Sequence, residues 1–219
     1  MITCIPRAIK LYEIYTSIQG ETHYAGLPCT LVRFAACDLR CAYCDTEYAF
    51  TGGQDVSMAN IVADVESRGV PLVLLTGGEP LLQPELPALC SELLARGFEV
   101  MIETGGHRDV SKLPAGVVLI VDVKTPGSGE SEKMHWANLD RLGPRDAVKF
   151  VVCSESDYDW ARELITTRAL GGRCNVLLSP SFGQVQPQQL VEWMLRDKVP
   201  ARLNLQIHKY VWPPEQRGV

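Results

Sequence analysis

Apolar residues along this chain fall into two alternating patterns. Short apolar runs bounded by glycine, proline or polar clusters recur at residues 30–36, 72–76, 99–104, 117–124, 147–153 and 175–178, with the length and composition of buried strands. Ile9, Leu11, Ile14 and Ile18, spaced among polar neighbours, predict an opening strand, and residues 203–207 a last one before His208, Lys209 and Tyr210. Between the strands the period lengthens to that of a helix. Ser57 is placed to cap a helix with Met58, Ile61 and Val65 on one face, closed by Gly69 and Pro71. Leu86, Leu89 and Leu93 mark a second helix that stops at Gly97. Ser154 or Ser156 caps a third, with Trp160, Leu164 and Ile165, and Pro187 opens a fourth, with Leu190, Val191 and Met194.

Strands alternating with helices imply parallel βα units, whose right-handed crossovers give either an open doubly wound sheet or a barrel. No internal repeat, low-complexity tract or long linker divides the chain, so a single domain over residues 1–219 is expected. Side chains alternate faces along a strand. Arg33 therefore shares a face with Leu31 and Ala35, Glu103 with Met101, Lys149 with Ala147 and Val151, and Asp122 with Lys124. A buried charge without a partner is costly. Mutual ion pairing and ligand contact are equally good accounts of Glu103 and Lys149, whereas Arg33 and Lys124, near strand ends, point to a ligand. The unusual blocks at 37–46, 76–80, 104–106, 124–126 and 179–181 all follow strands. Loops at strand C-termini line the active face of a (β/α) barrel.

Composition narrows the functional classes. Hydrophobic residues make up 46% and charged residues 21%, an ordinary globular balance, and a net charge of −5 gives no basic footprint for nucleic acid. No apolar run of about 18 residues is present to span a membrane. The start, from Met1 to Arg7, lacks the regions of a signal peptide, so a cytoplasmic protein is expected. Among eight cysteines, Cys4, Cys29, Cys90, Cys153 and Cys174 are scattered singly in apolar surroundings and read as small buried hydrophobes.

Cys37, Cys41 and Cys44 differ, because three thiols on one loop after a strand suit metal. An iron–sulfur cube usually takes four cysteines, so three leave one iron open for an outside ligand. The rival is a zinc knob completed by a distant cysteine or histidine. Gly77-Gly78-Glu79-Pro80 follows another strand; its glycines let backbone approach a ligand, and Glu79 can accept from a ligand ammonium. Alone it would be a tight turn.

Together the two motifs resemble the radical S-adenosylmethionine superfamily, whose members place an aromatic residue before the last cysteine, here Tyr43. Six further segments are similar to the 7-carboxy-7-deazaguanine synthase family, in order from about residue 10 to the tail. They are Tyr15-Thr16-Ser17-Ile18-Gln19-Gly20-Glu21-Thr22, Val32-Arg33-Phe34, Cys44-Asp45-Thr46, Thr76-Gly77-Gly78-Glu79-Pro80-Leu81, Ile102-Glu103-Thr104 and Gln206-Ile207-His208-Lys209-Tyr210. The resemblance implies an α/β fold: an incomplete (β/α) TIM-like barrel of parallel strands, about six, with a reduced helix set, usually homodimeric. It implies a [4Fe–4S] cluster whose open iron is chelated by S-adenosylmethionine, with reductive cleavage yielding a 5′-deoxyadenosyl radical. The implied reaction contracts 6-carboxy-5,6,7,8-tetrahydropterin to 7-carboxy-7-deazaguanine with loss of ammonia, on the route to queuosine. An electron donor such as flavodoxin or ferredoxin is implied as a partner.

Carried over by position, Cys37, Cys41 and Cys44 would hold the cluster and Thr46 would bind Mg2+ through its hydroxyl, an oxygen donor suited to a hard cation. The alternative for Thr46 is a helix N-cap. Ile18, Gln19, Gly20, Arg33, Thr76 and His208 would contact the pterin, though His208 could equally bond backbone. Tyr43, Cys44, Asp45, Gly78, Glu79, Asp122, Val123, Lys124, Ser179, Pro180, Ser181 and Phe182 would surround S-adenosylmethionine. Two features depart from the family. A proline whose terminal carboxylate holds substrate in familiar members corresponds to Pro214, here followed by Glu215-Gln216-Arg217-Gly218-Val219, so another group does that job or the tail folds back. Ser179-Pro180-Ser181-Phe182 is also less polar than many counterparts. A radical activase acting on a protein substrate and a non-enzymatic zinc-binding α/β module are the competing readings.

Overall fold

The computed structural model describes residues 8–219. Among these residues nine strands form one sheet in the order β3-β1-β2-β4-β5-β6-β7-β8-β9. The strands are β1 (Ile9–Ile18), β2 (Pro28–Phe34), β3 (Gln54–Val56), β4 (Leu72–Gly77), β5 (Glu99–Thr104), β6 (Val118–Val123), β7 (Ala147–Val152), β8 (Asn175–Pro180) and β9 (Arg202–Leu203). β1 runs antiparallel to both β2 and β3, and every pairing from β2 to β9 is parallel. The six long parallel strands are those the apolar runs predict. The sheet stays open, with β3 and β9 at its edges. The strand count rises from about six to nine through these margins. β3 is three polar or half-buried residues and β9 two exposed ones, so neither carries an apolar signature.

The expected strand over 203–207 is corrected accordingly. Only Arg202 and Leu203 pair with β8. Asn204 then turns inward, its N–H on the Leu178 carbonyl at 2.8 Å and its amide on Ser179 Oγ at 2.8 Å. Beyond it the chain leaves the edge to cover the end of the sheet, closing in a one-turn helix, α5 (His208–Val211).

The four longer helices are α1 (Met58–Ser67), α2 (Leu86–Ala95), α3 (Glu155–Thr167) and α4 (Pro187–Asp197). Ser57 caps α1 by accepting from Asn60 N–H, and Ser154 rather than Ser156 caps α3 by accepting from Asp157 N–H. Strand alternation divides the apolar residues between two cores. Val32, Phe34, Val73, Leu75, Ile102, Val121, Val123 and Phe150 pack under the helices. Leu31, Leu74, Met101, Ile120, Ala147 and Leu177 pack on the opposite face. Polar residues of that second face collect toward the strand C-termini. Cys29 and Cys90 are buried as expected, Cys153 and Cys174 are half-buried, and Cys4 lies outside the described residues. No helix of the described residues is long and apolar enough to cross a membrane.

Tyr158 on α3 is fully buried and donates its hydroxyl to the Trp193 carbonyl of α4 at 2.9 Å. Tyr158→Phe removes that donor from a buried acceptor and is expected to lower unfolding free energy by about 1–2 kcal/mol. Urea denaturation monitored by circular dichroism reads this; a variant as stable as the parent would show that the bond contributes nothing.

Candidate active site

The cysteine loop leaves β2 directly beside the turn that leaves β4. Gly78 N–H donates to the Phe34 carbonyl at 3.0 Å, and Glu79 N–H to the Ala36 carbonyl at 2.8 Å. The approach is so close that a Cβ at Gly78 would lie 2.1 Å from the Ala36 carbonyl oxygen and 2.9 Å from Cys37 Cβ. Only glycine fits there. Two further bonds pin the loop: Arg40 N–H to Glu130 Oε1 at 2.7 Å and Ala42 N–H to the Ser128 carbonyl at 3.0 Å. Asp38 completes the anchoring, accepting from His107 at 2.7 Å and Arg108 at 2.5 Å.

Cys37, Cys41 and Cys44 are half-buried and line one cavity of about 750 Å³. Among the described residues, no three His, Cys, Asp or Glu side chains converge as a single metal ion requires. Three thiols on one loop suit a cube in which each cysteine takes its own iron. Burial raises the Cys37 thiol and pushes Cys41 up to about 11 against the opposing charge of Lys124, so loading a cluster must displace protons.

The same cavity is lined by Ile18, Gln19, Gly20, Arg33, Thr76 and His208. Tyr43, Asp45, Thr46, Gly78, Glu79, Asp122, Lys124 and residues 179–182 also reach it. Val123 does not; its side chain lies in the helix-side core, because alternation along β6 sends Asp122 and Lys124 the other way. Three cavity residues carry buried polar atoms without a hydrogen-bond partner: Gln19 Nε2, Tyr43 OH and Asp122 Oδ1. Buried polar atoms are nearly always satisfied, so a wall with three orphans is shaped for a polar ligand.

The charges across the floor are paired. Lys149, 5% exposed, contacts Glu103, Glu21 at 2.8 Å and Asp122 at 3.6 Å. Burial alone would neutralise this lysine, but three surrounding carboxylates hold its ammonium charged well above the usual range. Burial raises the carboxyl of Glu103, against the pull of Lys149. Glu103 and Lys149 thus take the ion-pair reading. Arg33 and Lys124, expected to face a ligand, also have protein partners: Glu13 at 2.8 Å with Tyr15 OH at 3.3 Å, and Asp122 at 3.0 Å. Both still border the cavity.

Other details refine the expected roles. Glu79 spends its carboxylate on Thr104, Gly105 N–H and Leu81 N–H, which leaves the Gly77-Gly78 backbone as the open part of the turn. Thr46 stands at the N-cap position of a short 3-10 turn, Glu47–Ala49, but its hydroxyl makes no capping bond. That oxygen lies 3.8 Å from Cys44 Sγ. His208 sits against Gly20, where a Cβ would meet its Nδ1 at 2.1 Å, and burial lowers its pKa. Sequence reasoning assigned no role to Glu21, Gln206 or Lys209, although all three fall in its motifs. Gln206 bridges Glu21 and Asp45, each at 2.9 Å, and Lys209 pairs with Asp45 at 3.1 Å. Residues 214–219 fold back onto the cavity, the second of the two alternatives that the tail beyond Pro214 leaves open.

Residues 31–125 match the Radical SAM superfamily model. The fold resembles QueE from Escherichia coli with a TM-score of 0.74 at 22% identity, covering 90% of this chain and 93% of that one. It also resembles Streptococcus suis SuiB bound to S-adenosylmethionine, with a TM-score of 0.52 at 15% identity, covering 80% of this chain and 48% of that one. The cysteine loop, the glycine turn and the parallel sheet therefore define a radical S-adenosylmethionine enzyme, which carries a [4Fe–4S] cluster and S-adenosylmethionine. Two relatives are named 7-carboxy-7-deazaguanine synthase. One, from Koribacter versatilis, is 44% identical over 96% of this chain and 100% of its own length; the other, from Chlorobaculum tepidum, is 43% identical over 96% and 97%. The chain belongs to the 7-carboxy-7-deazaguanine synthase family.

Asp38 offers a test of how the loop is held. Burial pushes its carboxyl up, but Arg108 and His107 outweigh this and bring it to about 2, below the ordinary 3.8. A depressed acid stabilises the fold above its unfolded pKa and loses that contribution as pH falls toward the folded value. Asp38→Asn is therefore expected to be less stable than the parent at pH 7, by under about 1 kcal/mol because the group is partly exposed. The difference should vanish near pH 2. Paired urea titrations at the two pH values read it; a gap that persists at low pH would contradict the ion-pair account.

Proposed function

We propose that this enzyme converts 6-carboxy-5,6,7,8-tetrahydropterin to 7-carboxy-7-deazaguanine with loss of ammonia, in the biosynthesis of queuosine and related deazapurines. The observation that carries this reading is the convergence of widely separated motifs on one cavity: every residue expected to touch cluster, cofactor, metal or substrate lines it, apart from Val123. When bound, the cluster and S-adenosylmethionine supply a radical able to abstract hydrogen from the substrate. The protein supplies ligands, orientation and exclusion of water.

Cys37, Cys41 and Cys44 would hold the cluster on a loop that packs against the glycine turn. Tyr43, Asp45, Asp122, Lys124 and residues 179–182 surround the cofactor, with the Tyr43 hydroxyl and Asp122 Oδ1 available to it. Ile18, Gln19, Gly20, Arg33, Thr76 and His208 hold the pterin. An aminopyrimidine ring presents N–H donors, and Glu21 and Glu103 on the cavity floor supply acceptors, which Lys149 keeps compatible with burial. His208, its pKa lowered by burial, serves as a neutral donor or acceptor at pH 7. Thr46 offers its hydroxyl, 3.8 Å from Cys44 Sγ, to Mg2+ beside the thiol loop. The working enzyme is read as one domain in a cytoplasmic homodimer, reduced by a flavodoxin or ferredoxin.

An anaerobic assay with reconstituted cluster, S-adenosylmethionine, Mg2+ and the carboxypterin tests the reading directly. Turnover of the pterin separates it from a radical activase, which would act only on a protein. Cys41→Ala is expected to fold but to lose cluster absorbance and 5′-deoxyadenosine formation, by at least about a hundredfold. Formation of 5′-deoxyadenosine at the parent rate would sink the cluster assignment. Thr46→Ala is expected to retain the cluster spectrum while losing about tenfold or more of the Mg2+-stimulated rate. An unaltered Mg2+ dependence would remove Thr46 from the metal site.

A further inference from the structure

Five cationic Lys or Arg side chains line the cavity: Arg33, Lys124, Lys149, Lys209 and Arg217. Four are matched to carboxylates, Arg33 with Glu13, Lys124 with Asp122, Lys149 with Glu21 and Glu103, and Lys209 with Asp45. Arg217 alone makes no ion pair among the described residues. A turn in which Gln216 N–H donates to the Pro213 carbonyl at 2.9 Å brings it back over the cavity. There its guanidinium lies 4.0 Å from the centre of the Tyr48 ring. Arg33 approaches the same ring at 5.9 Å, and Tyr48 OH reaches Glu13 at 3.4 Å. Of the two guanidinium groups on this ring, Arg33 is matched to Glu13, whereas Arg217 is within ion-pair distance of no carboxylate among the described residues.

From this unpaired guanidinium, stacked on Tyr48 at the cavity, we infer that Arg217, carried on the folded-back tail, binds the carboxylate of the substrate and selects carboxylated pterins over those that lack the group. The inference rests on the reaction proposed above and adds a specificity-determining residue to it. A guanidinium presents paired N–H donors that match a carboxylate in two parallel bonds. Tyr48 holds that planar group in place through its ring face, which reduces the freedom lost on binding. The paired cations would have to release a protein carboxylate to do the same work, leaving a buried charge unmatched. Arg217 has nothing to release. Its exposure keeps it outside the packed core, so replacement leaves the fold intact.

The test compares two ligands on the anaerobic, cluster-reconstituted protein: 6-carboxypterin and unsubstituted pterin, with affinities read from pterin fluorescence. The parent is expected to prefer 6-carboxypterin. Arg217→Gln should weaken 6-carboxypterin by about ten- to a hundredfold, the size of a charge-assisted bond, while pterin changes less than about twofold. Arg217→Lys should recover part of the loss, and S-adenosylmethionine affinity should stay as in the parent for both variants. Equal weakening of the two pterins, or no weakening of either, overturns the inference. Parent protein that binds and converts the carboxypterin while Arg217→Gln matches it rejects only the role of Arg217. Parent protein that binds neither pterin rejects the proposed reaction as well.

Discussion

Two backbone bonds, Gly78 to Phe34 and Glu79 to Ala36, carry most of what makes this site a site. Parallel pairing aligns β2 with β4 so that Phe34 lies opposite Gly77, and the two loops that follow emerge side by side. A loop of three thiols is then backed by a second loop whose backbone stands at van der Waals limit from it. With a side chain at Gly78 the turn would have to retreat from Ala36 and Cys37, and the cysteine loop would lose its backing. The pins from Glu130, Ser128, His107 and Arg108 act on a loop already placed by this contact. Rigidity here matters because a cofactor with its own chemistry needs the protein chiefly for placement.

The second constraint is charge. Glu21, Glu103 and Asp122 come from different parts of the chain and meet at one buried ammonium, Lys149. Removing Lys149 would leave three carboxylates facing one another in a poorly solvated floor, a far larger penalty than the worth of any one pair. Through Gln206 the network continues to Asp45, which sits in the cysteine loop, and through Lys124 to the ring of Tyr43 at 5.6 Å. The cysteine loop, the wall of the cavity and its floor are therefore electrostatically one body, although they derive from strands far apart in sequence.

What could be read from the residues follows the same physics. Apolar runs at 30–36, 72–76 and 147–153 announce strands because both faces are buried, and Ser57 and Ser154 announce helix starts because capping is a local bond. Arg33, Glu103, Asp122, Lys124 and Lys149 stand out because a charge inside an apolar strand demands an explanation. The pairing of those charges was not legible, since it depends on which strands are neighbours. Edge strands β3 and β9 carry no apolar pattern to detect, and the run at 203–207 misleads because Asn204 and Gln206 serve the site rather than the sheet. Val123 was drawn into the site by its neighbours Asp122 and Lys124, though period-2 alternation already sends it to the opposite face.

The tail shows why the remaining charge had to come from outside the strands. A cation on a parallel strand end sits beside acids from adjacent strands, and burial forces it to pair with them. Such a residue shapes the floor but has little free charge to offer an incoming anion. A segment that returns from solvent after α5 is under no such pressure, because its guanidinium remains hydrated until a ligand arrives. Stacking on Tyr48 fixes its position without consuming its hydrogen-bond donors. The sheet thus provides neutrality and precision, and a cation brought from outside it supplies the charge that distinguishes one substrate from another.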